Sequence, residues 1–492
     1  MPIHNSISNL SEKAIFAILF LYCLFIRLPF FFRDYIDRDE SSFILMGQSW
    51  VDGYLPFTEL WDIKPPLIFF FFGSIIYFFG KSFIAIRLIG VLLVTTSSFF
   101  TYKLAKEEAS KSIALITAVL CIILQSLFGS LQGIMSEHIA MAFMTPAIWL
   151  MVTTKNSIYK WIGIGILVGC ALMIKLNLAY VALILGLIII WTSYKNEKSI
   201  LSILNPILYG LGALVIIVIC FLPYYKDDLS MLWWKSVVEA PLAYAGARND
   251  SFIKLLAYLS PFILLIWYSW KRGLLNFKNH NTLFIIGSIF GTLLAFIKGG
   301  RVNGHYLILI YPTILAFIAI LIKKKYSLRL KKFIPFISLF LFLIPVESYL
   351  EYYNIIKHKI ERGSVFNGEG ITVPKYFKDY GINSSNIYFA EYHIGYWLMN
   401  AKPVTKSATQ PSNILKDEMF FAYENPRATG EKELQFIIEQ KSPSHIVTRK
   451  NRRVFDKKEY KANFYINLQL LKLYKPLDTV DNAIIYERLK LK

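Results

Sequence analysis

The sequence predicts an α-helical integral membrane protein of about eleven crossings, followed by a small extracytoplasmic α/β domain. Three observations lead there. Of its 492 residues, 55% are hydrophobic and 16% aromatic, and the mean hydropathy is +0.47, more apolar surface than soluble globular chains carry. Apolar runs of spanning length recur through positions 1–349. Over 350–492 polar residues dominate, and short β-rich stretches alternate with helical ones.

The runs near 13–32, 84–102, 112–128, 138–154, 203–223, 252–269, 283–298, 306–322 and 333–349 are each long enough to cross a bilayer. The block 161–193 is too long for one helix and is interrupted by Lys175-Leu176-Asn177, which splits it into two short spans. "PLIFFFFGSIIYFFG" (66–80) begins behind Pro65-Pro66 and sits at the lower limit for spanning. Counted as a crossing, it would reverse the sidedness of every basic loop after it, so it reads as a re-entrant or interfacial element.

Orientation follows from the positive loops, which stay cytoplasmic. Lys103/Lys106/Lys111, Lys155/Lys160, Lys195/Lys198, Lys271/Arg272/Lys278 and "KKKYSLRLKK" (323–332) alternate with less basic loops. The pattern places the N-terminus inside and the C-terminal domain outside the cytoplasmic (inner) membrane. The formal charge of +20 is therefore a membrane-orientation signal and not a nucleic-acid face, because the cations fall in short clusters between apolar runs and in the polar C-terminal part. All four cysteines, Cys23, Cys121, Cys170 and Cys220, lie in apolar segments without CxxC spacing, so no disulfide framework or zinc site is implied. The first apolar run lacks a small-residue cleavage site and reads as a retained helix.

In the polar tail, "SSNIYFAEYHIGYWL" and "PSHIVTRK" look like strands between helices over 412–423 and 430–440. The expected division is a membrane domain over 1–349 and a soluble domain over 350–492.

On this topology four polar clusters share the outer face: "RDYIDRDE" with "WDIKPPL", "GSLQGIMSEH" (129–138), "IKLN" (174–177) and "KGGRVNGHY" (298–306). Charged groups at membrane depth are costly and usually line a functional cavity. Asp34 and Asp37 read as solvated interfacial residues, whereas Asp39-Glu40 lead into an amphipathic "SSFILMGQSWVDG".

"RDE" after the first helix, "KPPL" behind it, "FGKSFIAIRLIG" (79–90), "MSEH" in the second outer loop and "GHYLILIYP" (304–312) together resemble the polytopic glycosyltransferases of the GT-C fold. The likeness is to the branch of protein O-mannosyltransferases and aminoarabinose transferases. It covers roughly the first 350 residues, with a looser likeness in the tail. The resemblance implies transfer of a sugar from a polyprenyl-phosphate carrier to a glycan, lipid or protein hydroxyl, with inversion at the anomeric carbon, and no nucleic acid as partner. Such a reaction needs a base for the acceptor hydroxyl, cations for the departing phosphate and an apolar groove for the prenyl chain.

Asp39 matches the family's catalytic aspartate, and Glu40 would orient it or tune its proton affinity. Lys64 matches the lysine of the KPP element, stiffened by the two prolines after it, and would hold the phosphate. Arg301 with His305 and Tyr306 forms a second candidate phosphate contact. Arg87 either snorkels to the interface or reaches the carrier. Glu137 and His138 would hold sugar hydroxyls, assist the base or bind a metal. Some relatives carry a carboxylate directly before the KPP lysine; here Ile63 stands there and Asp62 one step back. No cofactor is required on this reading. A divalent ion on Asp39, Glu137 and His138 stays open, without a diagnostic ligand spacing. Lys175 and Asn177 either line the carrier pocket or snorkel. The loop 223–250, with its Trp and Tyr residues, Arg248 and Asp250, is either a lid over the acceptor or an aromatic belt.

The main alternative is a polytopic transporter or flippase for a lipid-linked or small anionic substrate. It is disfavoured because the chain shows no repeated halves and its polar groups gather on one side. A non-catalytic assembly protein leaves Asp39, Lys64 and Glu137 unexplained.

Overall fold

The computed structural model describes residues 9–34, 37–153, 157–197, 201–247, 252–300, 302–326, 334–382 and 385–490. The chain forms two compact units. The first comprises Met1–Leu28, Arg87–Leu222 and Ala245–Glu351; the second comprises Pro29–Ile86, Pro223–Tyr244 and Tyr352–Lys492. The principal helices in chain order are α1 (Glu12–Arg27), α2 (Arg38–Val51), α3 (Leu67–Phe79), α4 (Phe83–Lys106), α5 (Lys111–Ser126), α6 (Ser136–Val152), α7 (Ile158–Leu172), α8 (Ala179–Glu197), α9 (Leu201–Lys226), α10 (Phe252–Lys271), α11 (His280–Lys298), α12 (Tyr311–Tyr326), α13 (Ile334–Leu343), α14 (Val346–Arg362) and α15 (Glu369–Asp379).

In the first unit the apolar runs become helices whose starts are marked by hydroxyl caps. Ser11, Ser110 and Ser157 each accept a backbone N–H of the first turn, which satisfies donors that have no partner inside the helix. Among the described residues, six helical stretches are long and apolar enough to cross a membrane: Glu12–Phe32, Phe83–Lys106, Leu176–Lys195, Leu204–Lys226, His280–Lys298 and Leu339–Arg362. Several shorter apolar helices accompany them. Close crossings rest on glycine: a Cβ on Gly165 would stand 2.2 Å from the Tyr209 carbonyl oxygen, and one on Gly212 2.4 Å from that of Ile162. Helices in lipid gain association energy from such backbone approach, since lipid tails compete for apolar contact.

The interruption read at Lys175 is present. α7 ends at Leu172, a 3-10 turn covers Leu176–Leu178, and α8 begins at Ala179. The last apolar run behaves differently from its sequence reading: α13 stops before Pro345, and α14 then continues to Arg362, through the expected domain boundary at 349/350. The chain changes from apolar to amphipathic there without ceasing to be helical.

Arg27, in the last turn of α1, is buried and donates to the carbonyls of Leu131 (2.9 Å), Gly133 (2.8 Å), Gln132 (3.2 Å) and Gln125 (3.4 Å). One guanidinium therefore reaches three carbonyls of the loop that leads into α6 and one in the last turn of α5.

The second unit is organised around α2 and α3. A Cβ on Gly47 would lie 2.7 Å from the Gly73 nitrogen, and one on Gly73 2.9 Å from the Gly47 oxygen, so the two backbones touch at this pair. Phe43 packs at the same crossing, with ring centroids 6.4 Å from Phe69 and 5.8 Å from Phe72. At 13 residues, α3 is about 20 Å long, short of the ~30 Å hydrocarbon thickness.

The tail builds a four-stranded mixed sheet of β1 (Ile387–Phe389), β2 (His445–Arg449), β3 (Tyr474–Val480) and β4 (Ala483–Arg488), in the order β1-β2-β4-β3. β1 and β2 run parallel, and β4 pairs antiparallel with β2 and with β3. The first two strands fall in the stretches expected from sequence. The β3–β4 hairpin, turning at Asp481 in the left-handed region (φ 54°), was not anticipated. Segment 412–423 forms 3-10 turns in place of the expected helix, while 430–441 is helical. Tyr388, Ile414, Leu434, Ile437, Ile446 and Ile466 belong to the core of this domain.

His393 lies fully buried beside α2, and its Nε2–H donates to the Arg38 carbonyl at 3.0 Å. Burial, and after it the Arg38 guanidinium, push the imidazole down from 6.5 to about 4. The unfolded chain thus takes up this proton first, so the contribution is complete above pH ~6.5 and is lost as pH falls toward 4, to the extent of about 3 kcal/mol. The thermal stability of the purified protein is expected to decline across that window, and His393→Gln to reduce the slope. An identical slope in the variant would contradict this assignment.

Candidate functional site

Two clusters of charged side chains stand out, one in each unit. In the second unit, Asp37 caps α2 by accepting the Asp39 N–H at 2.8 Å, which places Asp39 and Glu40 in the first helical turn, where the exposed N–H dipoles favour carboxylates. Glu40 points into the packed interior and is 2% exposed, whereas the Asp39 side chain is 26% exposed. Lys64, presented just ahead of α3, brings its Nζ within 3.7 Å of Asp39 Oδ2 and lies 5.7 Å from the centre of the Phe43 ring. The α2–α3 glycine contact therefore fixes the distance between the two groups that the sequence singled out.

Three further residues complete this cluster. Gln410 donates its Nε2–H to Asp39 Oδ1 at 2.5 Å. Asp62 is buried, and its Oδ1 accepts the Ile63 N–H at 2.7 Å and the Asn413 amide at 3.5 Å. Burial raises the Asp62 carboxyl above its usual range, with the Lys64 charge pulling the other way. Nearby, Arg38 is ion-paired to Glu391.

In the first unit, Glu137 at the start of α6 is 2.7 Å from Lys175 Nζ and 3.8 Å from His305 Nε2. Ser136 Oγ donates to Glu137 Oε2 at 3.0 Å. The Lys175 ammonium stands 4.5 Å over the Tyr306 ring, and His305 meets that ring edge-on at 4.7 Å. A carboxylate this deeply buried needs such partners. Lys175, Glu137, His305 and Tyr306, which lie far apart in the chain, thus form one cluster.

His138 takes a different place from its neighbour. Its Nδ1 accepts the Met135 N–H at 3.0 Å and its Nε2–H donates to the Gln125 carbonyl at 2.7 Å, so one nitrogen holds the residue before α6 and the other ties α6 to the last turn of α5. That leaves the ring unfitted as a metal ligand, and among the described residues no three of His, Cys, Asp and Glu are grouped to hold an ion. Arg87 is buried near the start of α4. Arg248 and Arg301 lie outside the described residues, as does Asp250.

The residues that sequence reasoning missed are Gln410, Asn413 and Arg27. Amides in a polar loop carry no spacing signal. Arg27 looked like an ordinary basic residue at a helix end. Asp62 was noted only as a displaced carboxylate.

Residues 63–225 match the family described as dolichyl-phosphate-mannose-protein mannosyltransferase. ArnT from Cupriavidus metallidurans bound to undecaprenyl phosphate has the same fold, with a TM-score of 0.61 at 12% identity over 96% of this chain and 97% of that one. Its apo state gives 0.55 at 10% identity, covering 97% and 99%. The archaeal oligosaccharyltransferase AglB from Archaeoglobus fulgidus, in complex with an inhibitory peptide and a dolichol-phosphate, gives 0.51 at 10% identity, covering 97% of this chain and 74% of that one. No curated protein matches the sequence. The protein is thus a multi-pass membrane protein of the GT-C fold, with residues 63–225 matching the dolichyl-phosphate-mannose-protein mannosyltransferase family.

Proposed function

We propose that the chain is an inverting glycosyltransferase that moves a sugar from a polyprenyl-phosphate carrier to a hydroxyl acceptor at the outer face of the cytoplasmic membrane. The observation that carries this reading is the part-exposed Asp39–Lys64 pair, a carboxylate and an ammonium 3.7 Å apart and held by the α2–α3 crossing. The family match and the shared fold with structures bound to undecaprenyl phosphate and dolichol-phosphate support it.

In the proposed reaction the acceptor oxygen attacks the anomeric carbon from the face opposite the phosphate. Its proton passes to Asp39, and the bond from the anomeric carbon to the phosphate oxygen breaks. The leaving polyprenyl phosphate takes the bonding pair, and Lys64 balances the charge that develops there. Asp39 acts as base only while ionised, and the ammonium beside it favours that form. We assign the Glu137, Lys175, His305 and Tyr306 cluster to substrate binding, with Arg87, Arg248 and Arg301 as further candidate contacts to the carrier. On this reading the tail domain lies outside the cytoplasm and the N-terminus inside, as the distribution of basic loops supports.

The test is sugar transfer by the purified chain from synthetic polyprenyl-phosphate sugars, alongside mass spectrometry of surface glycans and glycolipids from cells with and without the gene. Uptake of substrate into sealed vesicles without any transfer would overturn the reading in favour of transport. Lys64→Ala is expected to raise the KM for the lipid donor by about 10- to 100-fold and to change the KM for the acceptor far less. Equal losses for both substrates would remove Lys64 from the phosphate.

A further inference from the structure

The tail does more in the second unit than fold beside the α2–α3 pair. Residues 406–416 run as a strap of two 3-10 turns, Lys406–Thr409 and Pro411–Asn413, joined at Gln410. The strap is fastened by backbone: the Trp61 N–H donates to the Lys406 carbonyl at 3.2 Å, and Ser42 Oγ on α2 donates to that of Thr409 at 3.3 Å. From it two buried amides reach two carboxylates, Gln410 to Asp39 Oδ1 and Asn413 to Asp62 Oδ1.

Each amide has its direction fixed from behind. Ser412 Oγ donates to Gln410 Oε1 at 3.0 Å, and Lys416 Nζ donates to Asn413 Oδ1 at 2.8 Å. With the amide oxygens occupied as acceptors, the NH₂ groups are turned toward the carboxylates. A surface-strap glutamine needs no such second contact. Here the contact keeps an N–H on one oxygen of the proposed base.

We propose that Gln410 is a positioning residue for sugar transfer. Its N–H occupies Asp39 Oδ1, so that Oδ2, on the Lys64 side, is the oxygen that takes the acceptor proton. The inference rests on the reading of Asp39 as the base and adds the tail strap to that centre. The amide itself neither gains nor loses a proton. It favours the ionised carboxylate and limits its rotation, which holds Oδ2 in a defined direction on the Lys64 side. Charged groups around Asp39 include Lys64 at its Oδ2, Asp62 from the stretch before α3, Asp37 at the cap of its own helix and His393 from the tail, with the Arg38–Glu391 pair and Lys416 beyond them. All of them are retained in the variants below.

The experiment is the pH dependence of kcat/KM for the acceptor, measured on the full-length protein as wild type, Gln410→Ala, Gln410→Glu, Ser412→Ala and Asp39→Asn. Gln410→Ala is expected to lower kcat/KM about tenfold and to move the acid limb of the profile to higher pH. Gln410→Glu, which sets a second carboxylate against Asp39, should move it further, and Ser412→Ala, which frees the amide to turn over, should move it less in the same direction. Loss of rate with an unmoved acid limb in Gln410→Ala and Ser412→Ala would reduce the strap to a structural element and overturn the proposal. If Gln410→Ala fails to fold, Ser412→Ala and Gln410→Glu carry the same test. An inactive Asp39→Asn beside a wild-type profile in the Gln410 variants would sink the positioning role and leave the base standing. Full activity in Asp39→Asn would remove the base itself.

Discussion

Asp39→Asn is expected to lower the rate of sugar transfer by about a thousandfold, within the range lost when a general base is removed, while the protein still folds and inserts. The substitution is nearly isosteric. It keeps an oxygen that can accept the Gln410 amide, and the backbone cap from Asp37 is independent of the side chain. What it removes is the ability to accept a proton from the acceptor hydroxyl. The Michaelis constants for donor and acceptor are expected to change little, because Asp39 contributes mainly in the transition state and not to uniform binding. Retention of more than about a tenth of wild-type turnover would show that another group takes the proton.

The largest effect on stability is expected in the first unit, at Lys175→Met. Glu137 is almost fully buried, and Lys175 is the nearest cation to it. Removing one member of a buried pair strands the other, at a cost of about 3–5 kcal/mol. The double substitution Glu137→Leu/Lys175→Met replaces the pair with apolar groups of similar length and is expected to recover most of that loss. Reaction of the buried thiols Cys23 and Cys121 with a thiol-specific dye during heating reports unfolding of this unit. Activity is expected to stay low in the double variant even where stability returns, because the cluster that would contact substrate is gone. Recovery of both together would mark Glu137–Lys175 as a purely structural pair.

The two clusters were legible in the sequence to different degrees. Asp39 and Lys64 fall within one short stretch, between an apolar helix and a diproline, so their types and local setting already pointed to a shared task. The structure added the glycine-to-glycine crossing that sets their separation. Glu137, Lys175 and His305 were each noticed as polar residues in an apolar setting, but nothing in the chain said that they meet. Glu137 and His138 are adjacent and looked alike in role. In the fold one faces Lys175, while the other spends both nitrogens on backbone groups. Successive residues on a helix point about 100° apart, so adjacency in sequence does not predict a shared partner.

By itself the sequence determined that this is a helical membrane protein with a polar α/β tail, because the length and composition of apolar runs decide what can be buried in lipid. It also marked Asp39 and Lys64, since charge next to a membrane span is costly enough to stand out. Only the tertiary structure decided that Gln410, 371 positions away from Asp39 in the chain, grips one of its oxygens, that Arg27 turns inward to donate to four carbonyls, and that Glu137 and Lys175 pair with each other beside His305. Those contacts are set by how helices and loops pack, a property of three-dimensional neighbours that no local spacing encodes.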